Sequence, residues 1–188
     1  AVLYSTQGNA QFLQCETTGP SIKIADAQPC TGETFCLDVT VLDFTDITSA
    51  KFPIFWDTSI VEFVGVQDLN LTALEMADFD ETEVANGLLK VDWVYQDCNI
   101  ATDAITLPDN QIIFKLCFRA KSTYGQTTLI DIPNDSELTN DPEPISVKRL
   151  NVCVSNIGLC PTPGFISTCV SPLELYSTST IGNPGELV

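Results

Sequence analysis

The side chains with the most chemistry to offer are eight cysteines: Cys15, Cys30, Cys36, Cys98, Cys117, Cys153, Cys160 and Cys169. No two are spaced C-x-x-C, so a zinc ribbon or a thioredoxin-like redox motif has no support. The chain contains no histidine, which removes Ser-His-Asp triads, Cys-His pairs and His-ligated metals. An even number of cysteines on such a chain reads as four disulfides, and hence as an oxidising compartment. Carboxylates crowd at Asp78, Asp80, Glu81 and Glu83, and again at Asp131, Asp135, Glu137, Asp141 and Glu143. Calcium is the cation they would take. A helix-loop-helix calcium loop starting at Asp78 would need Gly where Glu83 stands and Glu where Leu89 stands, so a solvated acidic surface is expected and no cofactor is assigned. A glycosidase needs two carboxylates facing across a cleft, and nothing singles out a pair, so the chain does not read as an enzyme.

Trp56 and Trp93, with Phe52, Tyr95 and Phe114, could form an aromatic platform for a carbohydrate. The alternative is a core, because Trp93 continues the apolar face of Leu89 and Val91. Asn70-Leu71-Thr72 and Asn134-Asp135-Ser136 fit the N-glycosylation acceptor pattern. Lys115 and Lys148 invite a Lys–Asn isopeptide cross-link, but such bonds are buried and Lys115 shares an outward register with Arg119.

The whole chain bounds these options. It has 188 residues, with 8 Lys and Arg against 25 Asp and Glu, a formal charge of −17. That charge repels phosphate backbones and excludes a nucleic-acid partner. Hydrophobic residues make up 44% and charged residues 18%, enough apolar material for a real core. No apolar run reaches the length of a membrane span. The sequence starts at Ala1 and reads as a mature, secreted product at the cell surface or beyond it.

Alternation dominates the pattern. Phe35, Leu37, Val39 and Val41 face one way while Cys36, Asp38 and Thr40 face the other. Phe114, Leu116 and Phe118 alternate with Lys115, Cys117 and Arg119, and Leu89, Val91, Trp93 and Tyr95 with Lys90, Asp92 and Val94. Period two over such lengths predicts half-buried strands. Further strands are predicted at 21–26, 51–56, 60–67, 127–132 and 145–154, with a short helical turn within 71–83. The class is all-β: an antiparallel β-sandwich with extended arms on both sides. Cys36 and Cys117 point to the solvent side of their strands, so an inter-sheet bridge is not expected. The expected pairs are Cys30 with Cys36 and Cys98 with Cys117, leaving Cys15, Cys153, Cys160 and Cys169 to tie the arms to the body.

The order of segments resembles a known family. Ser21-Ile22-Lys23-Ile24 followed by Cys30 to Val41, with a Gly-Glu-Thr turn, resembles the first two strands of cohesin modules. Ala50 to Val66 resembles the third strand, an aromatic-Asp-x-x-aliphatic corner and the strand after it. Gly87 to Trp93 with Leu107 to Lys121 is similar to the next hairpin, and Gly125 to Ile130 and Val147 to Val154 to the closing strands. The resemblance implies a jelly-roll sandwich over 21–154, and a dockerin-like partner.

Two arms flank it, 1–20 and 155–188. Leu3-Tyr4-Ser5-Thr6 recurs as Leu175-Tyr176-Ser177-Thr178, and the C-terminal segment has the pattern of a strand without a partner. The functional expectation is therefore a structural subunit. Copies of the chain would join head to tail when Leu173, Leu175, Ile181, Leu187 and Val188 of one complete a sheet of the next. A recognition module for a dockerin-like or carbohydrate partner is the alternative.

Overall fold

A computed structural model describes residues 19–95, 104–121, 125–132, 146–149 and 160–168. The described residues form two facing sheets and a two-stranded ribbon. The strands are β1 (Ser21–Ile24), β2 (Thr34–Leu42), β3 (Ile47–Phe55), β4 (Val61–Gln67), β5 (Phe79–Asp80), β6 (Leu88–Val94), β7 (Gln111–Ala120), β8 (Thr127–Ile130), β9 (Ser146–Arg149), β10 (Cys160–Thr162) and β11 (Gly164–Ser167). One sheet runs β10-β1-β2-β7-β4, the other β5-β6-β3-β9, and β8 pairs with β11. All pairings are antiparallel except that of β1 with β10. This is the antiparallel β-sandwich that the alternation predicts. Short 3-10 turns stand at Met76–Asp78, inside the predicted helical stretch, and at Val84–Asn86, just beyond it.

The core lies between the sheets. Leu37, Val39 and Val41 of β2 and Phe114, Leu116 and Phe118 of β7 meet Ala50, Phe52 and Ile54 of β3 and Leu89, Val91 and Trp93 of β6. These are the inward registers of each strand, and burying them supplies the main favourable free energy of the fold. Trp56 stacks on Phe63 with ring centroids 5.5 Å apart and takes Phe118 edge-on at 5.4 Å. The Trp93 indole N–H donates to the Thr72 carbonyl at 3.0 Å, so its one polar group is satisfied inside the sandwich. With Phe52, Trp56, Trp93 and Phe114 all buried and Tyr95 half-buried against Trp93, these rings are core and not a sugar platform.

Two expectations are corrected. Cys36 is bonded to Cys117, not to Cys30, and Cys117 accordingly is not bonded to Cys98. The reason is topological. β2 lies between β1 and β7; its pairing with β1 spans Val39–Leu42, whereas Cys36 stands directly opposite Cys117 on β7 with Cα atoms 4.0 Å apart. Cys30 is also disulfide-bonded, to neither of these two. Among the described residues no cysteine is free. The second correction concerns the C-terminal arm. Its residues 160–168 are strands of the sandwich: β10 extends the five-stranded sheet, Ile166 is fully buried, and β11 pairs with β8. The segments carrying Cys15, Cys98, Cys153 and Cys169, the assembly residues Leu173, Leu175, Ile181, Leu187 and Val188, and the acidic residues from Asp135 to Glu143 lie outside the described residues.

Candidate interaction face

The two sheets present very different outer faces. On the five-stranded sheet, the Cys36–Cys117 bridge joins the central strands. Beside it Lys115 reaches Asp68 at 2.8 Å and Asp38 at 3.9 Å. The hydrogen bond and charge of Asp68 hold the Lys115 ammonium above its ordinary pKa, with Asp38 adding to the effect. Lys115 thus points outward, as the register predicts, and is tied to two carboxylates instead of an isopeptide partner.

The four-stranded sheet turns Ser49, Lys51, Pro53 and Phe55 of β3 outward, opposite Val94, Asp92, Lys90 and Leu88 of β6 in register. Lys51 and Asp92 form an ion pair at 2.6 Å, and Lys90 lies 3.5 Å from Glu83. Asp80 of β5 stands opposite Lys90. Its carboxyl is held below the usual range by hydrogen bonds from the Thr82 hydroxyl and amide, with a smaller pull from Lys90. Lys51, Pro53, Asp80, Lys90 and Asp92 line a shallow groove of about 200 Å³. Val94 beside it is 49% exposed.

Local sequence explains how the face is set. Pro53 sits mid-strand, where a missing N–H would ordinarily break a ladder. Among the described residues β9 pairs with β3 as far as Lys51, and the next bridge is Phe55 with Asp131, so Pro53 falls between them. The chain leaves β3 through Trp56 and Asp57. Asp57 takes the Ser59 hydroxyl at 2.6 Å and the Ser59 amide at 2.8 Å, bonds that lower its pKa and fix the corner into β4. Gly87, at φ +82°, lets the chain enter β6 beneath Trp56; a Cβ there would collide with the Trp56 carbonyl oxygen.

Of the acidic residues expected to crowd together, Asp78 accepts the Glu75 amide and Asp80 the Thr82 amide. They act as turn braces. Among the described residues no three Asp, Glu or Cys side chains converge as a metal site. The residues of the groove were not singled out from the sequence. Their signal was the alternation of Lys90, Asp92 and Val94 with a buried face, but their partners on β3 depend on a strand register that the sequence does not print.

The fold is that of a jelly-roll β-sandwich. Within that class, the Cohesin domain family matches residues 20–147, and the chain belongs to this family. Cohesin domains are non-catalytic protein–protein interaction modules. No curated protein matches the chain by sequence. Solved structures resemble it in fold. The cohesin of OlpA from Clostridium thermocellum, solved in a type I cohesin–dockerin complex, has 12% identity and a TM-score of 0.60, over 79% of this chain and 98% of that one. The sixth cohesin of Acetivibrio cellulolyticus scaffoldin B, in complex with a dockerin, has 16% identity and a TM-score of 0.60, over 82% and 100%. A non-cellulosomal cohesin from the archaeon Archaeoglobus fulgidus has 17% identity and a TM-score of 0.57, over 82% and 94%.

Proposed function

We propose that the chain is an extracellular or cell-surface recognition module whose β5-β6-β3-β9 face docks a dockerin-like partner. The observation that carries this reading is the cohesin match over 20–147 together with the charged groove on this sheet. Lys51 and Lys90 supply charge that an acidic partner surface can exchange for their present partners, Asp92 and Glu83. The test is titration calorimetry of the full chain against a panel of dockerin modules. Micromolar or tighter binding is expected with at least one of them, weakened by about tenfold or more in Lys51→Glu/Lys90→Glu. No binding across the panel overturns the reading.

A second reading, the self-joining fibre subunit, has one observation in its favour. Leu129 and Phe165 stand opposite each other on the β8–β11 ribbon and are 43% and 45% exposed, an apolar pair on a ribbon that ends at Ser167, six residues before the proposed assembly strand of Leu173, Leu175, Ile181, Leu187 and Val188. In this reading copies of the chain are the partner. Removal of 173–188 should abolish any higher-order species seen by light scattering and microscopy. Unchanged assembly in the truncated chain sinks it.

A further inference from the structure

We propose that Asn70 is an N-glycosylation site, and that its glycan covers the open edge of the five-stranded sheet. Asn70-Leu71-Thr72 lies on the loop that leaves β4. Asn70 and Thr72 are both exposed, while Leu71 between them is buried in the core together with Leu74. The loop is held firmly in that orientation. The amides of Asn70 and Leu71 both donate to the Ile113 carbonyl, at 2.8 and 3.2 Å, and the Thr72 carbonyl receives the Trp93 indole. The two residues that an acceptor site needs therefore face water side by side, and the residue that needs no access is the one that packs. The Cys36–Cys117 disulfide is a second, independent sign of an oxidising compartment, where such transfer takes place.

The chemistry requires a lipid-linked oligosaccharide as donor. The carboxamide nitrogen of Asn70 attacks the anomeric carbon of the sugar. A C–N bond forms, the C–O bond to the lipid phosphate breaks, and the amide proton passes to a base of the transferase.

Placement gives the glycan a role. Among the described residues β4 pairs with β7 only and so ends its sheet. It carries one charge, Glu62, and neither Lys nor Pro, and its Val64, in a bulge, is 53% exposed. An edge so lightly guarded invites pairing with another chain. Asn70 stands three residues past the end of β4, and its contacts to Ile113 hold it on the same sheet. A glycan there shields the edge and leaves the opposite, groove-bearing face open.

Glycopeptide mapping of the native protein from its source tests the site. The peptide carrying Asn70 is expected to bear at least one sugar residue, lost in Thr72→Ala with an unchanged circular dichroism spectrum, since the Thr72 side chain is exposed and the Trp93 indole bonds to its backbone carbonyl, which the substitution keeps. An unmodified Asn70 peptide in the native protein overturns the proposal. The role in shielding is read separately by light scattering. Thr72→Ala should self-associate as concentration rises, and adding Val64→Lys should reverse this. A Thr72→Ala protein that stays monomeric removes the shielding role.

Discussion

The outer faces of the two sheets are built from the same alternation and serve opposite ends. The face of β10-β1-β2-β7-β4 is locked. A disulfide joins β2 to β7, and Lys115 ties the same strands to Asp68 past the end of β4. The face of β5-β6-β3-β9 is held by exposed ion pairs, Lys51 with Asp92 and Lys90 with Glu83, around a groove. Exposed pairs of this kind contribute little to stability. Under the proposed recognition reading a partner would displace them at small cost, while the disulfide-joined face would stay unchanged.

The comparison can be broken at several points. The largest effect is expected where both sheets share a residue. Trp93→Ala empties the centre of the core and removes the donor to Thr72, so denaturant unfolding should show a loss of about 3–5 kcal/mol. Next comes the back. Cys36→Ser with Cys117→Ser opens a bridge spanning 81 residues. Stability should fall by ~2–4 kcal/mol while affinity for the partner stays the same. If affinity falls with it, the two faces are not independent. Gly87→Ala, which drives a Cβ into the Trp56 carbonyl at a positive φ, should cost more than about 1 kcal/mol and lower the thermal midpoint. Matched neutral changes then sharpen the contrast. Lys51→Gln should weaken partner binding and Lys115→Gln should spare it, and neither exposed pair should move the midpoint by much.

The smallest effects are in pH. The folded-state pKa of Lys115 is raised, so its ion pairs contribute fully below the ordinary lysine range and are lost as pH climbs through the folded value. Asp57 and Asp80 have lowered values. Their contribution is full above the ordinary carboxylate range and is lost as pH falls through the folded values. Relief of the −17 charge acts in the opposite direction in acid, so the two aspartates are read by difference: the acid-side loss of midpoint should be smaller in Asp57→Asn/Asp80→Asn than in the unsubstituted chain, and equal slopes would contradict their assignment.

Much of the fold was legible because period-two burial is a local property. Leu37, Val39 and Val41 announce an inward face, and Leu89, Val91 and Trp93 another, whatever lies across from them. That legibility extended to Trp56 and Trp93 as core residues and to Cys36 and Cys117 as outward-facing. It stopped at partnership. The Cys36–Cys117 bond needed β2 and β7 to be neighbours in one register, although other strands intervene along the chain. The groove needed Lys51 opposite Asp92 and Pro53 opposite Lys90. The role of residues 160–168 was hidden for the same reason: three- and four-residue strands carry too little alternation to stand out until β1 and β8 supply their edges.

The sequence by itself determined the class of the protein: a cysteine-rich, histidine-free, acidic all-β chain with an inward and an outward side to each strand, and no imidazole chemistry. Only the tertiary structure decided which cysteines meet, which sheet face is locked and which carries the groove, and that Asn70 and Thr72 stand in water around a buried Leu71. The physical reason is that side-chain direction along a strand follows from local backbone geometry. Adjacency between strands is set by long-range hydrogen bonds and packing, which no short stretch of sequence encodes alone.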